Sequence, residues 1–546
     1  MSLESEITRI SNAKADIKTA IEQKGVDISD EARIDDYADY VNQIGADEEE
    51  FTVRFYDFDG TIVAQYTRST FINLSAMPAN PTHAGLTSQG WNWSLADAKA
   101  YVEEFGGLEI GQMYCTTDGK TKLYITISDT GRTTLPFYWT QTVASGVSIN
   151  WGDGSAAQSF SGTGNHNTTH QYSAIGDYVI TLTVSSGTFS LGNGASGSTV
   201  FKSGSTYRVY QSMLKKVEFG TGITSIGAYA FHNCVNLTTV TIPSGLTGFS
   251  ATGSFYNCCN LLQLTVPSGA VTIGSSYCYC CYGIIAICIP KSVKTIGDNA
   301  FQICYRLNSI SIPSGVTSCG RGLFYSCHSL DTIRISNTVT ANTNYFYIGN
   351  PRYLINWDVP DGVTSLTYNT FMGCYALKSV TLPNTLKVIG TNAFYYCMSL
   401  PHIDIPNSVT GISSQAFMYC YSLQELTIPS GVTAITNYMC YCPYALQKVV
   451  FPSGLKTIGT YAFYNAYSLS TVTIPSGVTS IGTYAFRYCY GVKTYYVYPT
   501  TPPTLGTNVF EGIQSDAIIY VPSASVDTYK AATGWKTYAA NIQAMP

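Results

Sequence analysis

A repeat of about 23 residues dominates the second half of the chain and constrains its fold more than any other feature. Each unit reads L-x-x-[IV]-x-[IL]-P-x-x-[VL]-x-x-I-G-x-x-A-F-x-x-C, and its proline recurs at spacings of 23 residues with an occasional 24. The prolines stand at positions 243, 267, 290, 313, 360, 383, 406, 429, 452 and 475. The segment before each proline alternates apolar and polar residues, which predicts one short strand. The strand ends at the proline because proline has no backbone N–H to donate to a neighbouring strand. Stacking of such units predicts a solenoid with a parallel sheet.

One cysteine recurs at the same place in most units. The positions are Cys234, Cys258, Cys281, Cys304, Cys327, Cys374, Cys397, Cys420 and Cys489. A disulfide framework would not tolerate the Asn350, Pro443 and Ala466 that fill this place in other units. Other cysteines, such as Cys115, Cys288 and Cys319, lack the spacing of a zinc site. We therefore predict reduced, buried thiols that act as small hydrophobic side chains.

Tyrosines surround these constant positions and vary with polar or charged residues from unit to unit. The chain holds 43 tyrosines, an unusual excess of a residue that binding surfaces favour. One column follows the cysteine and another follows the phenylalanine, where Tyr alternates with residues such as Gln302 and Arg487. Core packing rarely permits such exchanges, which predicts an exposed stripe about 50 to 60 Å long over twelve units. The alternative is that the rings pack on one another along the solenoid.

These columns give the candidate receptor-binding residues. They are Tyr282, Tyr305, Tyr375, Tyr395, Tyr421, Tyr444, Tyr464, Tyr467 and Tyr490, with Tyr353 and Trp357 from one atypical unit. That unit reads NTNYFYIGNPRYLINWDVPDG and is either a bend in the solenoid or an aromatic pocket. Arg352 supplies one cation to the pocket interpretation.

The N-terminal segment, residues 1–50, predicts helices that assemble the protein. Five apolar residues recur at heptad-like intervals, namely Leu3, Ile7, Ile10, Ile17 and Ile21. A second helix is expected from about Asp30, before the acidic sequence ADEEE. A homotrimer is the natural oligomer for a fibre with such a seam, whereas a helical hairpin without partners is the alternative.

Residues 51–118 predict a small α+β module. Its sequence DFDGT matches the start of a haloacid dehalogenase phosphatase site, but the following segment lacks the large α/β domain that such an enzyme needs. A hairpin turn at Asp59 and Gly60 is the better interpretation. Residues 119–200 alternate apolar and polar residues between glycine-rich turns, which predicts a β-sandwich. His166 and His170 within it predict a turn, because HNTTH is a poor helix and a poor zinc pair.

Three segments resemble known families. The sequence EITRISNAKADIKTAIEQKGVDISDEARIDDYADYVNQI resembles the N-termini of tail and tail-fibre proteins of gut phages and prophages. INWGDGS together with HQYSAIGDYVITLTV resembles the PKD domain, an immunoglobulin-like sandwich that implies a spacer or adhesive module. The match is carried by Trp151, Asp153, Gly154, His170, Tyr172, Gly176 and Tyr178. The repeats from 213 to about 522 resemble the BspA-type leucine-rich repeats of bacterial surface proteins.

The predicted fold is mostly β, with a leucine-rich-repeat solenoid (201–522) after an Ig-like sandwich (119–200) and an N-terminal helical oligomerisation segment. Residues 523–546 begin like a repeat strand and turn helical, as a cap should. A net charge of -5 without a dense basic run argues against nucleic acid. The N-terminus has no export signal and no run of 18 apolar residues occurs, so membrane insertion is not expected.

These features predict a binding protein and no enzyme, cofactor or metal site. The favoured function is a phage tail or tail-fibre protein, part of the virion and assembled in the host cytoplasm with other tail proteins. Its repeats would bind a bacterial cell-surface glycan or protein. The alternative is a BspA-type adhesin at the bacterial cell surface, which would need export.

Overall fold

The computed structural model describes residues 50–142, 146–184, 189–192, 199–201, 208–320, 322–335, 354–359 and 361–546. The predicted N-terminal helices, with Leu3, Ile7, Ile10, Ile17 and Ile21, lie outside these residues, and so does most of the atypical unit around Tyr353. Within the described residues the fold is a solenoid of leucine-rich-like repeats and mostly β, as predicted.

A small α+β module begins the described chain. Its strands are β1 (Phe51–Tyr56), β2 (Ile62–Thr67), β3 (Leu86–Trp91) and β4 (Leu108–Thr116), and its helices are α1 (Arg68–Ile72) and α2 (Leu95–Phe105). The strands form one sheet in the order β2-β1-β4-β3. The DFDGT segment is the β1–β2 hairpin turn, in which the Asp57 N–H donates to Thr61 O and Gly60 takes a φ of 87°. The hairpin interpretation is therefore confirmed.

Two sheets with a common core follow the module. The strands are β5 (Thr121–Ile127), β6 (Thr134–Gln141), β7 (Val147–Asn150), β8 (Gln158–Phe160), β9 (Gly164–Gln171), β10 (Gly176–Val184) and β11 (Phe189–Leu191). The predicted turn at His166 to His170 is wrong, because both residues lie on β9. There His170 stacks on Trp151 at 4.6 Å and donates to Asp153 at 2.7 Å. The aromatic packing of this strand outweighs the poor strand propensity of its Asn and Gly residues.

The solenoid has two columns of parallel strands. The long-strand column consists of Leu214–Glu218, Thr239–Thr241, Gln263–Thr265, Ala286–Cys288, Ser309–Ile312, Thr332–Ile335, Asn356–Asp358, Ser379–Thr381, Glu425–Thr427, Lys448–Val450, Thr471–Ile474, Thr494–Val497 and Ile518–Val521. The short-strand column consists of Ser225–Ile226, Thr272–Ile273, Thr295–Ile296, Ser318–Cys319, Ser365–Leu366, Val388–Ile389, Gly411–Ile412, Ala434–Ile435, Thr457–Ile458, Ser480–Ile481 and Thr504–Leu505. A helix at Arg208–Gln211 precedes the first long strand.

Both ends of the solenoid are continued by other elements. At the N-terminal end, Leu214–Glu218 pairs antiparallel with β5, and Ser225–Ile226 pairs parallel with β11. The two sheets of the preceding unit thus extend into the two strand columns. At the C-terminal end, the helix Val526–Ala531 and the 3-10 helix Trp535–Asn541 lead to a last strand, Ile542–Ala544, parallel to Ile518–Val521. The first strand of each column and the last strand of the long-strand column are therefore paired on their outer sides, which suppresses edge-to-edge pairing there.

The module packs on the outer face of the long-strand column in the first repeats. Asn92 donates to Val266 O at 3.0 Å and to Cys288 O at 2.9 Å, and Trp93 donates to Ile289 O at 2.9 Å. Glu109, which is 1% exposed, pairs with Arg334 at 3.2 Å and accepts from Ser309. The first repeats therefore have this face covered by the module. Further along the chain the outward residues are exposed, as in Glu425–Thr427 and Thr471–Ile474.

The cysteine column lies inside the solenoid, as predicted, and all 17 cysteines of the chain are free thiols. Seven thiols of the column donate to a backbone carbonyl of the preceding repeat: Cys258, Cys281, Cys304, Cys327, Cys397, Cys420 and Cys489. Cys397 donates to Phe371 O at 3.2 Å, and Cys420 donates to Phe394 O at 3.1 Å. Since S–H is a weak donor, Ala466 can replace it at small cost. Burial raises the pKa of Cys420 and of Cys489 to about 12.

Thiol labelling tests this buried column. We expect iodoacetamide at pH 8 to modify the partly exposed Cys259 and Cys280 in the native protein, and all 17 cysteines after unfolding. Because folding raises the column pKa values, the thiols stabilise the fold fully below about pH 9, and this contribution is lost as the pH rises toward 12. Intact-protein mass spectrometry counts the labels. A Cys397–Cys420 disulfide in a non-reducing peptide map would contradict the prediction.

Candidate recognition surface

The surface turns of the repeats depend on two left-handed residues per unit. The first left-handed position lies two residues before the phenylalanine, and the second lies one residue before the cysteine. In the unit around Phe394 these are Asn392, with a φ of 56°, and Tyr396, with a φ of 61°. The same two positions have positive φ in every fully described unit from the one containing Phe231 to the one containing Phe510.

The left-handed residues direct backbone N–H groups onto the next repeat. The Phe394 N–H donates to Ala416 O at 2.8 Å, and the Tyr396 N–H donates to Met418 O at 3.0 Å. Corresponding bonds recur along the array, so the turns form a third hydrogen-bonded ladder beside the two strand columns. Inside it the phenylalanines stack, with Phe394 and Phe417 at 5.4 Å and nearly parallel. The turn residues on either side of each phenylalanine reach the surface.

Tyrosines collect on this surface in five consecutive units. We call the set the tyrosine face: Tyr395, Tyr396, Tyr419, Tyr421, Tyr438, Tyr441, Tyr444, Tyr461, Tyr464, Tyr467, Tyr484, Tyr488 and Tyr490. They occupy the two left-handed positions, the post-Phe column and the post-Cys column. Repetition of the turn geometry places equivalent side chains one above another.

The rings of the tyrosine face stack along the solenoid. In the post-Cys column, Tyr421, Tyr444, Tyr467 and Tyr490 follow each other with centroid distances of 4.9, 5.2 and 5.8 Å and interplanar angles of 2, 6 and 11°. Similar stacks join Tyr441 to Tyr464 and Tyr438 to Tyr461, both at 4.9 Å. Each pair of stacked rings contributes about 0.5 to 1.5 kcal/mol beyond its buried area.

The same rings also face solvent. Tyr444 is 39% exposed, Tyr467 is 40% exposed and Tyr490 is 46% exposed, and the other rings of the face are partly buried. The sequence left open whether these tyrosines face solvent or pack on one another, and in the structure they do both. Because stacking covers the ring faces, a ligand meets mainly ring edges and hydroxyl groups.

Electrostatically the tyrosine face is nearly neutral. Arg487 lies 4.5 Å from the ring centres of both Tyr484 and Tyr488 and pairs with Glu511 at 2.8 Å. A hydrogen bond from Arg487 lowers the pKa of the Glu511 carboxyl. Burial raises the pKa of Tyr395 and of Tyr444 to about 12. These tyrosines are therefore protonated hydroxyl donors at neutral pH.

The structure distributes the predicted site residues unevenly. Tyr395, Tyr421, Tyr444, Tyr464, Tyr467 and Tyr490 belong to the tyrosine face. Tyr282 and Tyr305 form a separate exposed stack with His328 near the other end of the array. Tyr375 is partly buried and lies 6.3 Å from Tyr396.

The prediction that Trp357 belongs to a receptor-binding site is wrong. Its side chain is 4% exposed and packs in the solenoid core, where it contacts Phe371 edge-on. It occupies the inward position of the strand Asn356–Asp358, so it fills the space of an aliphatic residue. Its proposed partner Tyr353 lies outside the described residues.

Sequence reasoning missed seven tyrosines at the left-handed positions: Tyr229 and, within the tyrosine face, Tyr396, Tyr419, Tyr438, Tyr461, Tyr484 and Tyr488. A signal was present, because positions 438, 461 and 484 follow the 23-residue spacing. A left-handed backbone costs a non-glycine residue on the order of 1 to 2 kcal/mol, and Asn tolerates it better. In other units these positions hold residues such as Asn257, Asn299 and Gly322. The tyrosines therefore stand where the backbone favours Asn or Gly.

Two features are absent from the described part of the chain. No group of three or more His, Cys, Asp or Glu residues there is arranged to hold a metal ion. None of the helices seen there is both long and apolar enough to cross a membrane.

Comparison with known families identifies the repeat array. The model of the BspA type leucine rich repeat region matches overlapping segments that together run from residue 202 to residue 532, which is more than half of the chain. The chain belongs to the BspA-type leucine-rich repeat family. No curated protein matches it.

Several solved structures are similar to this BspA-type chain. A leucine-rich repeat protein from Bacteroides ovatus is 21% identical, with a TM-score of 0.44, over 61% of this chain and 95% of that one. A leucine rich cell surface protein from Faecalibacterium prausnitzii is 25% identical, with a TM-score of 0.33, over 53% of this chain and 80% of that one. The pneumococcal vaccine antigen PcpA is 18% identical, with a TM-score of 0.38, over 59% and 76%.

Substitution at the second left-handed position tests whether tyrosine strains the backbone there. We expect Tyr396→Asn with Tyr419→Asn to change the free energy of unfolding by no more than about 1 kcal/mol, because relief of backbone strain offsets the lost stacking. Asn occupies the same position in this chain at Asn233, Asn257 and Asn465. Thermal and chemical unfolding measure the change. The double change to Ala, which lacks the local hydrogen bonds of Asn, is the control and should be less stable than the Asn variant.

Proposed function

We propose that this chain is an adhesin-like recognition protein that binds a glycan or protein of a cell surface through the tyrosine face. The observation that carries the proposal is the gathering of half-exposed tyrosines in five consecutive repeats, several at positions where the backbone favours Asn or Gly. Backbone strain that persists at surface residues points to a role in function. Membership in a family of leucine-rich-repeat surface proteins supports a location at a cell surface.

A binding role suits the chemistry of this surface better than a catalytic one. Neutral tyrosine side chains present large amphipathic contact areas at low cost in conformational entropy. Repetition provides the remaining affinity, because weak contacts to successive repeats reinforce each other when they engage one ligand. We therefore assign no cofactor and no reaction to the chain.

The elements before the repeats have a supporting role in this proposal. We propose that residues 119–200 are a PKD-like, immunoglobulin-like spacer. Since its sheets run into the two strand columns, it extends the solenoid rigidly toward the N-terminus. The module that contains β1–β4 covers the strand face of the first repeats. The outward strand residues of later repeats stay exposed, as in Glu425–Thr427.

Cell binding by a triple variant tests the tyrosine face. We expect Tyr421→Ser, Tyr444→Ser and Tyr467→Ser together to weaken binding to cells at least tenfold. Loss of about 1 kcal/mol per hydrogen bond from a tyrosine hydroxyl, three times over, exceeds the roughly 1.4 kcal/mol that a tenfold change requires. Flow cytometry of the labelled protein on a panel of gut bacterial isolates and epithelial cells measures binding. Circular dichroism verifies that each variant is folded.

The matched control is Tyr282→Ser with Tyr305→Ser. These two rings stack at 4.9 Å in the same column but lie outside the tyrosine face. We expect this control to bind within about twofold of the unchanged protein, which is less than 0.5 kcal/mol. Equal losses in the two variants, or unchanged binding by the folded triple variant, would refute the assignment.

A phage tail or tail-fibre protein remains the second candidate. The observation that favours it is the resemblance of the N-terminal sequence to tail proteins, together with the apolar seam of Leu3, Ile7 and Ile10. In this proposal the chain is a homotrimer in the virion, held by its N-terminal segment and by other tail proteins. The same repeats then bind a bacterial receptor.

Removal of residues 1–49 tests this candidate. We expect light scattering to show a trimer for the full chain and a monomer for the shortened chain, because the heptad seam lies in the removed segment. The shortened chain retains every described residue that carries the recognition surface and should keep its monovalent affinity. An oligomeric state that does not change on removal would exclude an assembly role.

A further inference from the structure

We infer that the ligand of the tyrosine face is an uncharged, extended polysaccharide that lies along the post-Cys column with about one sugar for each repeat. This inference rests on the proposed function and narrows its ligand to one chemical class. Four observations carry it: the spacing of the rings, the covering of their faces, the absence of net charge, and the unfavoured backbone at neighbouring tyrosines.

The spacing of the rings favours a sugar polymer over a peptide. Successive rings from Tyr421 to Tyr490 are 4.9, 5.2 and 5.8 Å apart. The distance between O1 and O4 across one hexopyranose chair is close to this step, so an extended 1,4-linked chain stays in register. An extended peptide presents equivalent side chains only every second residue, about 6.6 to 6.8 Å. It would lose register with the column after a few repeats.

The covered ring faces determine how such a ligand is held. In the post-Cys column the rings are nearly parallel, so the faces of Tyr444 and Tyr467 are both occupied by neighbours. Their exposed edges carry the hydroxyl groups. Among the described residues, the hydroxyls of Tyr421 and Tyr467 have no hydrogen-bond partner. A phenolic hydroxyl both donates and accepts, which matches the hydroxyl groups of a sugar.

The charge of the surface argues against an anionic polymer. Within the two left-handed positions, the post-Phe column and the post-Cys column, the units from Phe394 to Phe510 hold two charged residues, Arg487 and Glu511. They form an ion pair at 2.8 Å. Affinity for a polyanion comes largely from the release of counterions by unpaired cations. This surface provides no such cation, whereas a neutral polysaccharide requires none.

The left-handed tyrosines supply an independent observation. Tyr438, Tyr461 and Tyr484 form a second row of rings with steps of 4.9 Å, and this row contacts the post-Phe tyrosines Tyr441 and Tyr464. In the unit around Phe301 the corresponding position is Asn299, for which this backbone is easier. Rows of tyrosine side by side give the ligand site width as well as length. A linear chain that only touched one column would not require the second row.

A series of defined oligosaccharides tests the ligand class. The probes are neutral β-1,4-linked oligomers of glucose, mannose and xylose with two to six units, measured by isothermal titration calorimetry. We expect at least one series to bind with an affinity that rises by threefold or more per unit up to four units, and then levels off. Four units match the four rings from Tyr421 to Tyr490. Maltohexaose, which coils, is the matched probe and should bind at least tenfold more weakly than the best six-unit oligomer.

Treated cells separate this inference from the proposed function. Cells that bind the protein are exposed to mild periodate, which cleaves sugar diols, or to a broad protease. Loss of binding after periodate with retention after protease is expected. Tyrosine-dependent binding that only protease abolishes would overturn the polysaccharide ligand while sustaining the recognition role. Failure of all three series, or equal affinity for two and six units, would also overturn the inference. Absence of any cell binding would defeat the proposed function itself.

Discussion

The structure of the repeat array depends on the backbone hydrogen bonds between successive turns. Two left-handed residues per unit aim N–H groups at carbonyls of the next repeat, as between Phe394 and Ala416. Without this third ladder the polar backbone of the turns would meet the phenylalanine and cysteine columns without partners, at a cost of about 1 to 3 kcal/mol for each buried group. The ladder also fixes the register of every surface side chain. The stacked tyrosines are therefore a consequence of backbone bonding and not only of ring attraction.

Much of the solenoid could be predicted from the sequence because its constraints repeat. Phe394, Cys397 and Leu400 recur at one spacing, and the structure buries each of them. Trp357 could not be placed by the same reasoning, because a single aromatic residue in an atypical unit fits a surface pocket and a core position equally well. The tyrosines at left-handed positions were missed since their conformation, not their spacing, distinguishes them. Stacking with exposure was not foreseen either, because a sequence pattern separates inside from outside but not face from edge.

The packing of the module on the first repeats could not be predicted from sequence patterns. Asn92 and Trp93 bind carbonyls 174 to 196 residues later in the chain, and their neighbours in sequence give no sign of this. Glu109 is buried with Arg334 across the same boundary. Breaking such a buried pair by removing one partner costs about 3 to 5 kcal/mol. The module and the early repeats are therefore expected to unfold together, which ties a segment without repeats to the stability of the array.

The covering of only the first repeats has a consequence for how the gene can change. Residues that contact the module differ from unit to unit, so an unequal exchange that added or removed a repeat among them would misplace Asn92 and Glu109 against their partners. The described hydrogen bonds and ion pairs of the module extend no further along the repeats than Arg334, before the tyrosine face begins. Duplication or deletion of one unit there lengthens or shortens the stack of rings by one step and leaves the remaining fold in register. The number of repeats in the tyrosine face can therefore change by whole units, which changes the length of the stack of rings. The number of repeats that the module covers cannot change in this way.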